Sequence, residues 1–576
     1  MSHHATTHPH TQTSSRPNWL TLERLAYGLL ILVPTVIRLI DLGGRTLAPA
    51  EAATALRAWQ QAQGMHPALD AGQPLLFTLQ SLTFFVAGAT DAAARFWPVL
   101  AACLIPLALY FARGWLGRWP ALVAAALITL SPAINALARR GDGAAFALLA
   151  AAAALAGLAL LVEGSQGGWT VIAVSLAALL ISGPAGFSAL IPLTIILILT
   201  LRASEARPAP LAGAWVAFGV TLILGGTLFM VRFDALGLAA LNLTDWLQSF
   251  GLGGIHLLGG FIRLAVDEPL ISLFGLLGVV WGLRTGGRAR ILALAAVAAG
   301  LMAIFQGPDV TFSRAAAAFF LALPAAAFLV HLAGKGDLSF HSLEEALFVA
   351  VLILLAFLTV YALTAFANTG KFDRLVIFGV SILLALVMTI VFLFFIGWRE
   401  VRAGLAIAAL ILTLLFSLSS LWSLGFNHTL PTLARAYPTE ALPDVKDLVR
   451  TYGDLSQQQR GDRWAVTVAL IPGSPSDELI QWYFRQAEDF HVVDGVSADA
   501  PPPVIIAPAD RELALDDYAG QRFEMLSDWD LTRVATTNQA IYWFLFRRAP
   551  FPPPSVDAVN LWVNLDLLSL KQEDGM

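Results

Sequence analysis

Long apolar segments follow one another through the first 426 residues, and they constrain the fold of this chain more than any other feature. A membrane-spanning helix needs about 20 mostly apolar residues. We predict about 13 such spans, roughly at 25–42, 95–112, 119–137, 143–162, 169–182, 186–202, 211–231, 269–284, 290–305, 315–333, 344–366, 374–397 and 402–424. This pattern predicts a polytopic α-helical membrane protein.

The charged residues divide the chain into regions. Only 13% of the 576 residues are charged, against about a quarter in a soluble domain. Residues 427–576 carry 22 acidic and 12 basic residues, which leaves 18 acidic and 23 basic residues for the rest. We therefore predict a disordered cytoplasmic tail at 1–18, a transmembrane domain at 19–426 and a soluble acidic domain at 427–576. The single cysteine, Cys103, excludes an internal disulfide framework.

Arginines in the short loops predict the orientation, because Lys and Arg accumulate on the cytoplasmic side of a membrane. All arginine-bearing short loops fall on that side if Gln73–Ala89 does not cross. These loops contain Arg113 and Arg118; Arg202 and Arg207; Arg284, Arg288 and Arg290; and Arg399 and Arg402. We interpret Gln73–Ala89 as an interfacial or re-entrant segment. The chain is then a multi-pass plasma-membrane protein with a cytoplasmic N-terminus and an extracytoplasmic C-terminal domain.

Two long loops, 43–94 and 232–268, lie on the outer side in this topology. Both mix apolar runs with charged residues, and nearly all charges of the membrane domain lie at span ends. A transport path would need ionisable groups inside the spans. The pattern therefore favours a functional site at the outer interface.

The C-terminal region alternates helix-like and strand-like stretches, which predicts a soluble α/β domain. "WAVTVALIP" (464–472), "PVIIAP" and "IYWFLFRR" read as strands, and "SDELIQWYFRQ" (476–486) reads as a helix capped by Ser476.

Three segments in the first half carry a resemblance to a known family. They are "RLIDLGGRTLAPAEAATAL", "GATDAAARFWPVLAACLIPLALYFARGWLGRWPALVAAALITLSPAINALARRGDGAAF" and "LLISGPAGFSALIPL". Together they resemble the membrane glycosyltransferases of the GT-C fold. The likeness is to protein O-mannosyltransferases and aminoarabinose transferases, and to a prokaryotic subgroup associated with archaeal-type glycosylation and flippase activity. The resemblance implies that a sugar moves from a polyprenyl-phosphate carrier to a protein, lipid or glycan acceptor on the outer face.

The resemblance also implies two catalytic candidates. Where the family has an Asp-Glu pair in the first outer loop, this chain has Ala50-Glu51, so Glu51 is the expected general base. A purely structural alternative is that Glu51 only stabilises the helix that it opens, through the helix dipole. In "ALARRGDGAAF" the family has an element that faces the active site, which implies a role for Asp142, although Asp142 equally suits an N-cap.

Cations for the carrier phosphate are expected from several arginines. Relatives have a lysine ahead of Gly-Pro at the phosphate end, and Ser182 takes its place in "ISGPAGF". The candidates in this chain are Arg314, Arg263, Arg232, Arg139 and Arg140. Each of the first three equally suits a contact with lipid headgroups.

No metal site is predicted. His66 and Asp70 are candidates for lining the cavity or binding the acceptor, and with Glu51 they would form a divalent-metal site. No two-histidine helical spacing supports that alternative. The expected partners are the polyprenyl-phosphate sugar as donor, membrane lipids and an acceptor, but no nucleic acid.

Two other functions remain open from the sequence. One is a transporter or flippase partner for lipid-linked sugars, and the other is a GT-C relative without catalysis. The second alternative follows from Ala50, because this residue stands where the family has its usual catalytic aspartate.

The predicted topology is testable with a reporter fused after Met576. Because the inner loops carry the arginines, a periplasmic reporter such as alkaline phosphatase should be active in this fusion. A cytoplasmic reporter at the same place should be inactive. The opposite result would contradict the topology and make Gln73–Ala89 a full span.

Overall fold

The computed structural model describes residues 21–69, 72–203, 212–251, 254–307, 310–334, 342–426, 439–495, 501–511, 513, 517–529, 533–546 and 549–569. Up to residue 426 the described chain is helical apart from its loops, with a 3₁₀ turn at Phe233–Gly237. Its helices are α1 (Leu22–Leu39), α2 (Pro49–Ala62), α3 (Pro74–Ala87), α4 (Asp91–Leu116), α5 (Arg118–Leu130), α6 (Pro132–Ala138), α7 (Ala144–Val162), α8 (Gly167–Ile181), α9 (Pro184–Ala203), α10 (Ala212–Gly226), α11 (Leu238–Gln248), α12 (Gly254–Asp267), α13 (Pro269–Thr285), α14 (Gly287–Gln306), α15 (Thr311–Gly334), α16 (Leu343–Thr369), α17 (Asp373–Ile396) and α18 (Trp398–Phe426).

The polytopic helical class is confirmed, and each predicted span overlaps a helix. Within the described residues, eight helices are long and apolar enough to cross a membrane, and two bent helix pairs raise this number to ten. Helices α8 and α10 are apolar but have only 15 residues each. The total of about 13 spans stays a prediction.

Small residues let the central helices pack closely. Helix α7 is Ala-rich, is buried over most of its length, and packs against α4 and α8. A Cβ atom on Gly168 would lie 2.4 Å from the Gly157 carbonyl oxygen, so α7 and α8 touch through glycines. Helices in a bilayer associate through such small-residue contacts. Helix α17, in contrast, has almost no buried residues and is suited to face lipid.

Two helix breaks are held together by Glu268. The predicted span 119–137 is bent by 63° between α5 and α6, ahead of Pro132, and α12 meets α13 at 106°. Glu268 lies in the second break and is almost fully buried. Its Oε1 accepts hydrogen bonds from the Ser131 hydroxyl (2.6 Å) and the Ala133 backbone N–H (2.7 Å) in the first break. One carboxylate thus satisfies donors that open α6.

Helices α2 and α3 belong to the first long loop. Helix α3 covers the segment that we interpret as interfacial or re-entrant, and its 14 residues make about 21 Å at 1.5 Å per residue. This length is short of the hydrocarbon thickness of about 30 Å. The non-crossing interpretation stays a prediction that the helix length supports.

The C-terminal part is an α/β domain, which agrees with the predicted class. Its elements are β1 (Thr439–Ala441), α19 (Asp444–Arg460), β2 (Val468–Leu470), α20 (Asp477–Phe484), β3 (Phe490–Val492), β4 (Val504–Pro508), β5 (Tyr518–Asp528), α21 (Thr537–Phe546), β6 (Ser555–Asn564) and α22 (Leu565–Ser569). The strands form one mixed sheet in the order β1-β5-β6-β4-β2-β3. The central strand β4 pairs parallel with β2 and antiparallel with β6.

One predicted strand in this domain is wrong. The "IYWFLFRR" stretch lies largely in α21, which packs against α16 of the membrane domain. A short apolar run fits a buried helix as well as a strand, and here the neighbouring membrane helices favour a helix. Phe544 of α21 stacks on Phe416 of α18 with ring centroids 5.7 Å apart. Ser476 takes the predicted N-cap position of α20, but its side chain makes no capping hydrogen bond.

The soluble domain docks on the first long loop through its "WYFR" stretch. Asp91 accepts hydrogen bonds from the Trp482 indole (2.9 Å) and the Tyr483 hydroxyl (2.7 Å). Arg485 donates to the Ala89 carbonyl. Apolar residues of α2, α3 and α20 also share one buried cluster. The stretch is therefore a docking surface, and this contact completes the site described below.

We predict that Glu268→Ala destabilises the membrane domain. The substitution leaves buried donors at Ser131 and Ala133 without their acceptor, at a cost of about 1–3 kcal/mol each. Glu163→Ala is a matched control, because Glu163 is exposed at the end of α7. Thermal unfolding in detergent should show a lower Tm for Glu268→Ala alone. Equal Tm values for both variants would show that Glu268 does not support the breaks.

Candidate functional site

A cavity of about 350 Å³ lies where the first long loop meets the soluble domain. Its lining comes from α2, the turn before α3, the loop between α6 and α7, and α20. These residues are Ala48, Ala50, Glu51, Ala53, Thr54, Arg57, Gly72, Gln73, Arg140, Gly141, Asp142 and Glu478. Glu51 and Asp142 thus line the same cavity, together with Glu478 of the soluble domain. We call this space the proximal cavity.

The Glu51 carboxylate accepts four hydrogen bonds. Its Oε1 accepts from Arg95 Nε (3.1 Å) and the Gly141 N–H (2.5 Å), and its Oε2 accepts from Arg95 Nη2 (3.0 Å) and the Ala48 N–H (2.7 Å). Only 6% of Glu51 is exposed. The side chain therefore connects three separate pieces of the chain: the start of α2, the start of α4 and the loop before α7.

Arg95 fixes this arrangement with all five of its N–H groups. Besides the two bonds to Glu51, it donates to the carbonyls of Leu42 (3.1 Å), Arg45 (2.8 Å) and Thr46 (3.0 Å). A guanidinium has five donors, so its capacity is used completely. Arg95 was not among the predicted site residues, although a charge near the start of an apolar span is a signal of a specific role.

The surroundings of Glu51 contradict the expected pKa of a general base. Burial by itself raises the pKa of Glu51, but the Arg95 ion pair and the hydrogen bonds to the carboxylate outweigh it and hold the pKa at about 2. An efficient base has a pKa closer to the working pH. The base is expected to have a raised pKa, and Glu51 does not meet that requirement.

Asp142 meets it. Its Oδ1 accepts from the Ala144 N–H and from Gln73 Nε2, both at 2.9 Å. Asp142 thus binds the first N–H of α7, although the N-cap position itself is taken by Gly143. The structure shows no partner for Oδ2 among the residues that it describes. Burial raises the pKa of Asp142 and dominates over these two hydrogen bonds, which lower it. Asp142 thus combines a fixed position, an available oxygen and a raised pKa.

Gln73 orients Asp142 and was also missed from the sequence. Its Oε1 accepts from the Gly143 N–H while its Nε2 donates to Asp142. The side chain rests on the turn at Gly183, which has a φ of +91°, and a Cβ atom there would lie 2.7 Å from Gln73 Cγ. Ser182 precedes this glycine and returns its hydroxyl to the Ala178 carbonyl. The "ISGPAGF" motif therefore supports Gln73.

The cations lining the proximal cavity are Arg140, which was predicted, and Arg57, which was not. Both are paired with carboxylates of the soluble domain. Arg140 Nη2 lies 2.9 Å from Glu440, and Arg57 Nη2 lies 2.8 Å from Glu478. No periodicity or motif marks Arg57, because its role depends on the docking of α20 against α2.

Three other arginines do not line this cavity. The proximal cavity is not lined by Arg232, Arg263 or Arg314, three of the arginines predicted to bind the carrier phosphate. Arg263 and Arg314 both pair with Asp267, at 3.2 and 3.5 Å. The Arg263 guanidinium also lies over the Trp543 ring of α21, 5.3 Å from its centroid. A charge-paired cluster on α12 and α15 thus holds both residues.

Arg232 and Arg139 stabilise neighbouring loops. Arg232 pairs with Asp234 and donates to Gln61 Oε1 (2.8 Å) and the Pro67 carbonyl (2.9 Å), which fastens the loop after α2. Arg139 donates to the carbonyls of Ile37 (3.2 Å) and Ile40 (3.0 Å). These carbonyls end α1 and would otherwise lack donors. Neither arginine lines the proximal cavity.

The remaining candidates lie outside the cavity or outside the described chain. His66 is exposed and does not line the cavity. Asp70 lies outside the described residues, as do residues 1–18 of the predicted tail. Among the residues that are described, no group of three His, Cys, Asp or Glu side chains could hold a metal ion.

We predict that the main effect of Glu51→Gln is a lower free energy of unfolding. Removing one partner of a buried ion pair leaves the other charge uncompensated and costs about 3–5 kcal/mol. Glu478→Gln is the control: it removes a carboxylate from the same cavity, but that side chain is 46% exposed, and exposed pairs contribute about 0–1 kcal/mol. Thermal unfolding in detergent measures both. A Glu51→Gln variant with unchanged Tm and no transfer would restore Glu51 as the base.

Comparisons with known proteins identify the fold. No protein-family model matches the sequence, and no curated protein matches it. ArnT from Cupriavidus metallidurans bound to undecaprenyl phosphate superposes with a TM-score of 0.53 at 14% identity, covering 84% of this chain and 93% of that chain. The Archaeoglobus fulgidus oligosaccharyltransferase gives a TM-score of 0.45 at 12% identity, with 81% and 64% covered. As the motifs predicted, the chain has the GT-C fold of membrane glycosyltransferases.

Proposed function

We propose that this protein transfers a sugar from a polyprenyl-phosphate carrier to an acceptor, with Asp142 as the general base. The observation that carries the proposal is the Asp142 carboxylate in the proximal cavity, held through Oδ1 and open at Oδ2. The GT-C fold supports this reaction class.

Asp142 suits the proton transfer that this reaction needs. An acceptor hydroxyl or amine attacks the anomeric carbon, the bond from that carbon to the phosphate oxygen breaks, and the acceptor proton passes to Asp142 Oδ2. The raised pKa of Asp142 brings its basicity closer to the working pH. A single displacement of this kind inverts the anomeric carbon.

Arg140 and Arg57 are the residues that we assign to the leaving phosphate. The carrier phosphate gains negative charge as the sugar leaves, and guanidinium groups stabilise such oxygens through charge-assisted hydrogen bonds. Arg140 is buried and lies one residue from Gly141, whose N–H bonds Glu51. Their present partners, Glu440 and Glu478, belong to the soluble domain.

The proposed class of sugar donor is taken from a protein of the same fold. The matching ArnT structure contains undecaprenyl phosphate, and we extend that class of lipid to this chain. Helix α3 begins beside the proximal cavity and packs against α10, and these two apolar helices supply a surface on which a polyprenyl chain can lie.

The test compares Asp142→Asn with the control Asp245→Asn in a transfer assay. The first variant keeps an acceptor for the Ala144 N–H but cannot take a proton, so we expect the transfer rate to fall by about 10²–10⁴. Asp245 is exposed on α11, outside the cavity, and its variant should be as active as the unmodified protein. Binding of the donor should persist in both. Full activity in Asp142→Asn would overturn the assignment of the base.

The pH dependence separates the two acids. A base works in its ionised form, so the transfer rate should fall as the pH drops through the raised pKa of Asp142. Glu51, with a pKa of about 2, would remain ionised at all pH values where the protein is assayed and would give no such decline. A rate profile between pH 4 and pH 9 measures this, and a flat acidic side would contradict the role of Asp142.

A further inference from the structure

A second cavity, of about 660 Å³, lies at the other end of the membrane domain. Helix α7 begins two residues after Asp142 and ends at Val162, which lines the second cavity. Its 19 residues span about 28 Å at 1.5 Å per residue. We call this space the distal cavity. The proposed reaction makes no use of it.

The walls of the distal cavity combine an apolar crevice with two cations. They come from the ends of α4, α7 and α9 and from the start of α14. The lining residues are Trp115, Val162, Leu199, Thr200, Ala203, Gly287, Arg288, Arg290, Ile291 and Leu294. Arg288 and Arg290 are exposed, and neither has a carboxylate partner among the residues that the structure describes. Arg288 donates one hydrogen bond, to the Trp115 carbonyl at 3.1 Å.

We propose that the distal cavity binds an anionic phospholipid of the adjacent leaflet. The apolar wall offers Leu199, Ile291 and Leu294 to an acyl chain, and the two guanidinium groups offer donors to the phosphate at the level where the helices end. Basic pockets between membrane helices bind lipid headgroups in this way. Arginine matches phosphate geometry particularly well.

Unpaired polar groups in the wall support a ligand with oxygen atoms. Trp115 and Thr200 are both buried, and neither the Trp115 indole N–H nor the Thr200 hydroxyl has a partner among the described residues. Buried polar groups are rarely left without a partner. Both residues line the cavity, and a lipid headgroup offers acceptor oxygens that a purely apolar occupant lacks.

The surrounding charges favour an anion over a cation. The same end of the domain carries Arg113, Arg118 and Arg284, against the carboxylates of Glu23 and Glu163. Arg118 pairs with Glu23 at 2.7 Å. The positive charge that remains attracts anionic lipid and disfavours a cationic ligand.

The test uses the purified full chain in nanodiscs that contain phosphatidylglycerol and phosphatidylcholine. After gentle transfer to detergent, native mass spectrometry counts the phosphatidylglycerol molecules that remain bound. Each arginine near an anionic lipid contributes roughly a 5-fold change in affinity, so Arg288→Gln/Arg290→Gln should weaken retention by about 25-fold. Arg284→Gln is the matched control, because Arg284 is exposed at the same end but does not line the cavity. Equal retention in the double variant and the control would overturn the proposal.

A second variant tests the acyl chain. Ala203 is the last residue of α9 and is exposed on the cavity wall, so Ala203→Trp fills the space without repacking the core. It should reduce the retention of phosphatidylglycerol while both arginines remain. If Ala203→Trp has no effect and inorganic phosphate or glycerol 3-phosphate displaces the lipid completely, the site recognises a free phosphate and the proposal of a lipid is wrong.

Discussion

The buried ion pair between Glu51 and Arg95 is the interaction on which the candidate site depends. Arg95 fixes the loop before α2 through three carbonyls, and Glu51 ties the start of α2 to Gly141. Asp142 is the next residue. A buried pair of this kind stabilises a structure only if every remaining donor and acceptor is satisfied, and here each is. The pair therefore sets the position of Asp142, to which we assign the proton transfer in the proposed reaction.

The two acids of the proximal cavity differ because their surroundings differ. Arg95 and two backbone N–H groups stabilise the ionised form of Glu51, whereas Asp142 is desolvated with fewer stabilising contacts, so their pKa values move in opposite directions. Environments that separate the pKa values of two neighbouring carboxylates also separate their roles. The alanine at position 50 therefore does not by itself remove a base from the cavity.

Much of the fold could be predicted from the sequence, because a bilayer permits few alternatives. The apolar segments were sufficient to predict the polytopic helical class, and the motifs were sufficient to predict the GT-C fold. Contacts between residues that are distant in sequence could not be predicted. Arg95 and Arg57 act through partners distant in sequence, 44 and 421 residues away. Strands β5 and β6 were not predicted from the sequence, and α21 was mistaken for a strand because a short apolar run fits either element.

The soluble domain is part of the proximal cavity, and this explains how the cavity can hold two arginines before a donor arrives. A cation withdrawn from water without a partner is costly, so the buried Arg140 and the part-buried Arg57 need compensating charge. The docked domain supplies it through Glu440, which also pairs with Arg45, and through Glu478. In the proposed reaction a carrier phosphate takes over from these carboxylates, and its negative charge replaces theirs. Since Glu478 is the more exposed of the two, at 46% against 15%, its bond to Arg57 is the easier one to exchange. The docked domain thus contributes to the cavity by compensating charge, in addition to forming one of its walls.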